Sequence, residues 1–259
     1  MLRTSTILLA SILVLGGAAA SAAGLPATIV AAVADPGRPA ADRERDALRK
    51  PAELLAFFQV KPGQVVAELA PGGGYFTRLL SKAVGPSGKV YVFGPPPSNG
   101  ANVAGVSNVA AYANVASVAP SATSLNLPQA ADLVWTSLNY HDLKRPAQPG
   151  GPPAVDIAAF NKAVYQALKP GGYYVVIDHS AKSGDAAAPQ DKHRIDQLTV
   201  VEEITAAGFL LQGETQALRR PDDPRTGAVF PLNGASDQFA MLFRTPDLSL
   251  GGAIRDPQQ

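Results

Sequence analysis

The sequence predicts an α/β domain, with a mainly parallel sheet covered by helices on both faces and an antiparallel pair of strands at one edge. Three observations predict it. Strand-like and helix-like stretches alternate from about residue 51 onward, an order that produces parallel strands joined by crossover helices. A run of three glycines, Gly72-Gly73-Gly74, separates the first strand of that series from the helix that follows. The last two strand-like stretches have no helix between them, so they can pair as antiparallel neighbours.

The first residues stand apart from that series. Arg3 gives a short positive start, Ile7 to Leu15 runs apolar, and Ala20-Ser21-Ala22 offers small residues at a cleavage site. This is the layout of a secretory signal peptide over residues 1–23. The apolar run falls short of the ~20 residues that span a bilayer, so no stable membrane insertion is expected after cleavage. The expected location is therefore outside the cytosol, periplasmic where the cell has an outer membrane and secreted otherwise. Residues 24–41, rich in Ala, Pro and Gly, read as a linker, and 42–259 as the folded domain. Asp42-Arg43-Glu44-Arg45-Asp46 reads as a solvated charged helix face.

Each later element has its own signal. Pro51 opens a helix that carries Leu54, Leu55, Phe57 and Phe58. Val65 to Ala70 is a short buried strand. Phe76, Leu79, Leu80, Ala83 and Val84 share one helical face, and Gly85-Pro86 ends it. Lys89 to Phe93, Val109 to Val118 and Ala131 to Leu138 supply three more strands. Asp156 is a candidate N-cap for a helix with Ile157, Phe160, Val164 and Leu168 on one side. Lys169-Pro170-Gly171-Gly172 turns into the strand Tyr173 to Ile177. Thr199-Val200-Val201-Glu202 fits a capping box, with Gly208 closing that helix. Phe209 to Gln216 and Gln238 to Arg244 form the edge pair, around a charged loop containing Arg219-Arg220 and Asp222-Asp223. Trp135 and the Tyr173-Tyr174 pair read as strand and core residues.

Composition bounds the function. The 259 residues are 46% hydrophobic and 17% charged, with a formal charge of +1 and no cysteine. Such a chain can bury a core without disulfides, and it has no strong field to draw nucleic acid or an anionic membrane. A small molecule is the expected partner; oligomeric state is not legible.

The chemistry concentrates around Glu68-Leu69-Ala70-Pro71-Gly72-Gly73-Gly74-Tyr75. Glycines let a ligand approach the backbone, and the helix start offers free N–H groups. The stretch is neither a G-x-G-x-x-G dinucleotide fingerprint nor a P-loop, since position 77 is Thr and no Gly-Lys-Ser/Thr follows. It resembles motif I of class I S-adenosylmethionine-dependent methyltransferases, an acid followed by h-G-x-G-x-G, with Ala70 in place of the first glycine. Leu168 to Gly172 is similar to the turn before the fifth strand of that family, and Leu133 to Asp142 fills its fourth-strand slot. Asn139-Tyr140-His141-Asp142, Asp178-His179 and His193-Arg194-Ile195-Asp196 together resemble a subgroup of exported predicted methyltransferases.

The resemblance implies a Rossmann-like seven-stranded sheet and S-adenosylmethionine as cofactor, held by Glu68, Ala70, Gly72, Gly73 and Gly74. It also implies a substrate-facing group of Asn139, Tyr140, Asp142, Asp178 and His193. One departure stands out: the second strand runs into Gly94, where the family keeps an acid for the ribose hydroxyls. Losing one such hydrogen bond weakens binding roughly ten- to hundredfold. A non-catalytic small-molecule-binding protein on the same scaffold is the alternative this departure favours.

The chain has three histidines, His141, His179 and His193, all placed by this reading at the carboxyl edge of the sheet. An imidazole near neutral pKa suits a general base, and His141 or His179 is the candidate. His141, Asp142, Asp178, His179 and His193 also have the chemistry of metal ligands, and Asp142 and Asp178 fall in slots similar to the magnesium acids of catechol-type O-methyltransferases. No close-spaced motif such as His-Glu-x-x-His is present, so no metal site is assigned from sequence.

Overall fold

In the computed structural model, residues 24–93, 112–118, 125–147 and 153–247 are described. The signal-peptide reading and Gly94 lie outside them. The apolar runs become seven strands: β1 (Val65–Leu69), β2 (Lys89–Phe93), β3 (Val115–Val118), β4 (Ala131–Ser137), β5 (Leu168–His179), β6 (Leu210–Glu214) and β7 (Gln238–Arg244). They form one sheet in the order β3-β2-β1-β4-β5-β7-β6. β1 to β5 are parallel neighbours, and β7 runs antiparallel between β5 and β6. The expected architecture is the observed one.

Eight helices accompany the sheet among the described residues: α1 (Ala27–Val33), α2 (Ala40–Glu44), α3 (Asp46–Arg49), α4 (Pro51–Phe57), α5 (Tyr75–Val84), α6 (Ile157–Ala167), α7 (Ala188–Asp191) and α8 (Gln197–Ala206). Strand side chains alternate between faces, so the sheet builds two cores. Val66, Leu133, Trp135 and Val175 meet α1, α4 and α5 on one side. Ala67, Val134, Tyr174 and Val176 meet α6 and α8 on the other. Leu79 and Leu80 of α5 are fully buried; truncating either to Ala would cost about 2–5 kcal/mol. No helix among the described residues is long and apolar enough to cross a membrane.

Several boundaries differ from expectation. Residues 24–41 are not a bare linker: α1 lies within them, and Ile29 and Ala32 are buried in the first core. Asp156 caps α6 as expected, accepting from the Ala159 N–H at 3.0 Å. The capping box at Thr199 does not form; Asp196 caps α8 instead, accepting from Leu198 N–H at 3.0 Å. The Lys169 to Gly172 stretch lies inside β5, where its register against β4 shifts.

The two charged stretches are not simple solvated surfaces either. Asp42 is buried and pairs with Arg78 of α5, while Asp46 pairs with the buried Arg38 at 2.7 Å. In the late loop, Arg219 bonds Asp237 at 3.1 Å and Asp223 pairs with the fully buried Arg194 at 2.8 Å. Both loops are tied down by long-range ion pairs.

Candidate functional site

The strand order places β1 next to β4, with the chain running outward to β2 and β3 on one side and to β5 on the other. That is the topological switch point, where connections leave in opposite directions and open a crevice at the carboxyl ends of the strands. The glycine loop leaves β1 on one wall of the crevice. The loop from Leu138 through the 3-10 turn His141–Lys144 leaves β4 on the other.

The glycine loop is held open. Gly72 and Gly73 are exposed, and a Cβ added to either would meet nothing within 4 Å. Gly72 and Gly74 take φ values of +53° and +76°, the left-handed region that glycine enters without penalty. Ala70, which replaces the first glycine of the motif, also takes positive φ at +46°. A Cβ makes that conformation costly, by about 1–2 kcal/mol, so the fold imposes on Ala70 a conformation that glycine enters freely.

Glu68 is buried directly beneath this loop and accepts from Thr77 Oγ1 at 2.5 Å. Burial raises its carboxyl to about 7, against the opposing pull of the Thr77 hydroxyl, Arg78 and Arg49. Arg78 donates to the Gly73 carbonyl at 2.9 Å and to Asp42 at 2.7 Å. The Tyr75 hydroxyl donates to Asp46 at 2.6 Å. The N-terminal helices thus clamp the loop from outside, a role their charge run did not disclose. Arg49 of α3 lies 4.5 Å over the Tyr75 ring. Burial and the nearby Arg45 charge lower its guanidinium to about 10, which leaves it cationic at neutral pH.

Asn139 joins the two walls. Its amide donates to the Leu69 carbonyl at 3.2 Å, and its carbonyl accepts from Thr136 Oγ1 at 2.5 Å. Leu138 before it is forced to φ +59°. Tyr140, expected to face substrate, does not: its side chain is fully buried in the second core, bonded to Asn161 at 2.8 Å and Glu203 at 3.0 Å. Its ring is packed in that core and its hydroxyl already has partners there.

Asp178, also expected to face substrate, is fully buried. It accepts from the His141 backbone N–H at 2.8 Å, from His141 Nδ1 at 2.7 Å and from the His179 N–H at 2.7 Å. With both oxygens engaged it acts through His141. In the neutral ring, Nδ1 then carries the proton and Nε2 presents a lone pair. Burial opposes charge on His141, yet the carboxylates of Asp178 and Asp142 hold its pKa above the usual value.

His179 differs in kind. Its Nδ1 bonds the buried Ser236 hydroxyl at 2.6 Å, and burial pushes its pKa down to about 4. It is a neutral hydrogen-bonding ring at pH 7, 6.0 Å from His141 between centroids. His193 reaches the cluster from the loop after α7, with its Nδ1 3.2 Å from His141 Nε2. Burial, together with the Arg145 and His141 charges, lowers its pKa. Asp142 is exposed beside them, 2.9 Å from Arg145. The structure therefore gathers Asn139, His141, Asp142, Asp178, His179 and His193 at one edge, and moves Tyr140 out of the group.

No family model and no curated protein matches the sequence. Solved structures do match the fold. An S-adenosylmethionine-dependent methyltransferase from Aquifex aeolicus is 20% identical, with 78% of this chain and 92% of that chain covered at a TM-score of 0.56. The N-methyltransferase NodS from Bradyrhizobium japonicum is 13% identical, with 80% and 98% covered at a TM-score of 0.51. With this sheet order, glycine loop and likeness together, the chain has the fold of class I S-adenosylmethionine-dependent methyltransferases.

Proposed function

We propose that the protein is an exported S-adenosylmethionine-dependent methyltransferase of the exported predicted-methyltransferase subgroup, acting on a small molecule. The observation that carries this reading is the open Gly72-Gly73 backbone at the β1/β4 switch point, directly across from Asn139. The residues fit the cofactor: a backbone cradle that any side chain would fill, a buried acid beneath it, and a cationic Arg49 beside Tyr75 to receive a carboxylate. When bound, S-adenosylmethionine supplies an electrophilic methyl group on a sulfonium.

The chain's own residues supply the rest. Glu68 and the Gly72 and Gly73 amides hold the ligand at the loop, and Asn139 fixes the distance between the two walls. Methyl transfer depends mainly on placing two reactants in line. His141, oriented through Nδ1 by Asp178, presents Nε2 as the atom that accepts a proton from an attacking hydroxyl or amine. His179 and Ser236 back that ring with a neutral hydrogen-bonded pair. Asp142 and His193 line the acceptor side.

Thermal melting of the full chain with S-adenosylmethionine and with S-adenosylhomocysteine tests this. Ligand at 100 times Kd stabilises by about 2.7 kcal/mol, which raises the melting temperature by a few degrees. No shift with either compound at millimolar concentration sinks the reading. A shift without methyl transfer to any acceptor supports the binding-protein alternative, which the Gly94 position favours.

A further inference from the structure

Three ligand atoms at the carboxyl edge form a small triangle. His141 Nε2 lies 3.2 Å from His193 Nδ1 and 3.5 Å from Asp142 Oδ1, and the third side, His193 Nδ1 to Asp142 Oδ1, is 3.8 Å. An ion bonded to nitrogen and oxygen at about 2.0–2.1 Å in tetrahedral geometry holds its ligands about 3.3–3.4 Å apart. The three sides bracket that spacing.

The orientation of His141 aims the triangle at a cation. Asp178 accepts a hydrogen bond from the His141 Nδ1–H, which is the buried carboxylate–histidine arrangement that orients a metal-binding ring. His193 is held at φ +53°, pinned by the Ser180–Ile195 bridge just after it. This fixes the position from which its ring reaches His141.

We propose that His141, Asp142 and His193 bind one divalent first-row transition ion, with Asp178 as the positioning residue behind His141. Two imidazoles and a carboxylate suit zinc(II) or iron(II) and leave coordination positions open. The set differs from a paired-carboxylate magnesium site, because both Asp178 oxygens are already engaged. Arg145 is a competing cation beside the site: its Nε lies 2.9 Å from Asp142 Oδ1, and its Nη2 lies 3.0 and 2.9 Å from the two His193 ring nitrogens. Its side chain is half-exposed, so it can swing into solvent when a cation arrives. With the ion in place His141 is a ligand, and polarising an acceptor oxygen falls to the metal. Metal binding is read directly, so this inference does not depend on methyl transfer.

Calorimetric titration of the chelator-treated full chain with Zn²⁺ tests it, beside Arg145→Ala, His193→Ala and Asp178→Asn, each checked for folding by thermal melting. One ion per chain is expected in the wild type. His193→Ala should weaken binding at least about a hundredfold, and Asp178→Asn about ten- to hundredfold. Arg145→Ala should tighten it, up to about tenfold, since a competing exposed cation is gone. Arg145 is on the surface, so that variant keeps the test decisive if Asp178→Asn does not fold. An absence of stoichiometric Zn²⁺ in both wild type and Arg145→Ala overturns the proposal, as does unchanged affinity in His193→Ala.

Discussion

The side-chain amide of Asn139 donates to the main-chain carbonyl of Leu69 at 3.2 Å, fastening the loop after β4 to the last residue of β1. One residue thus sets the width of the crevice at the switch point. Asn139→Ala removes that bond and the one to Thr136, and should cost about 1–2 kcal/mol in urea unfolding. S-adenosylhomocysteine affinity should fall about tenfold as the walls loosen. An unchanged affinity would show that the two loops do not share a ligand.

Glu68 gives a signed pH dependence. Its folded pKa of about 7 lies above the ordinary 4.5, because burial disfavours the carboxylate. Between those values the native state keeps a proton that the unfolded chain has released. The stability conferred by the neutral acid is therefore present at low pH and is lost as pH rises toward 7, by about 1.4 kcal/mol per unit. Glu68→Gln mimics the neutral form. It should match wild type near pH 4.5 and exceed it above pH 7 by on the order of 3 kcal/mol. Chemical denaturation at the two pH values checks this; equal differences at both would mean folding leaves the Glu68 pKa unraised.

Asp46 ties two distant segments, bonding Arg38 at 2.7 Å and the Tyr75 hydroxyl at 2.6 Å. Asp46→Ala strands the buried Arg38 charge, and breaking such a pair costs about 3–5 kcal/mol. Because Tyr75 begins α5 directly after the glycine loop, ligand affinity should drop as well. Unfolding and binding measured on one preparation separate the two effects; a loss below 1 kcal/mol would assign the pair to solvated surface.

Tyr140 provides the opposite contrast. Tyr140→Phe removes the hydroxyl that Asn161 and Glu203 share and should cost about 1–2 kcal/mol of stability. Ligand affinity and any methyl transfer should stay at wild-type level. A selective loss of turnover with intact stability would return Tyr140 to the substrate side.

Sheet, glycine loop and most helix faces were legible because their signals are local. Val65 to Leu69 is a short apolar run, α5 repeats its apolar residues at helical spacing, and Asp156 sits where a cap must. The remainder depends on contacts far apart in sequence. Ile29 and Ala32 anchor α1 although Pro, Ala and Gly dominate around them. Asp42 looks like any surface acid until Arg78, 36 residues on, is beside it. Tyr140 sits next to site residues in sequence, yet the 3-10 turn it precedes points its ring into the core. His193 meets His141 across 52 residues, a separation no motif spacing encodes.

Calorimetric titration of S-adenosylhomocysteine into wild type and Gly73→Asp bears most directly on the open backbone at residues 72 and 73. Gly73 has no positive φ and open space around its Cβ position, so the variant should fold and melt like wild type. A side chain there fills the ligand's approach, so binding seen in wild type should vanish in Gly73→Asp. Equal affinity in both proteins would contradict the assignment of the glycine loop as the ligand site.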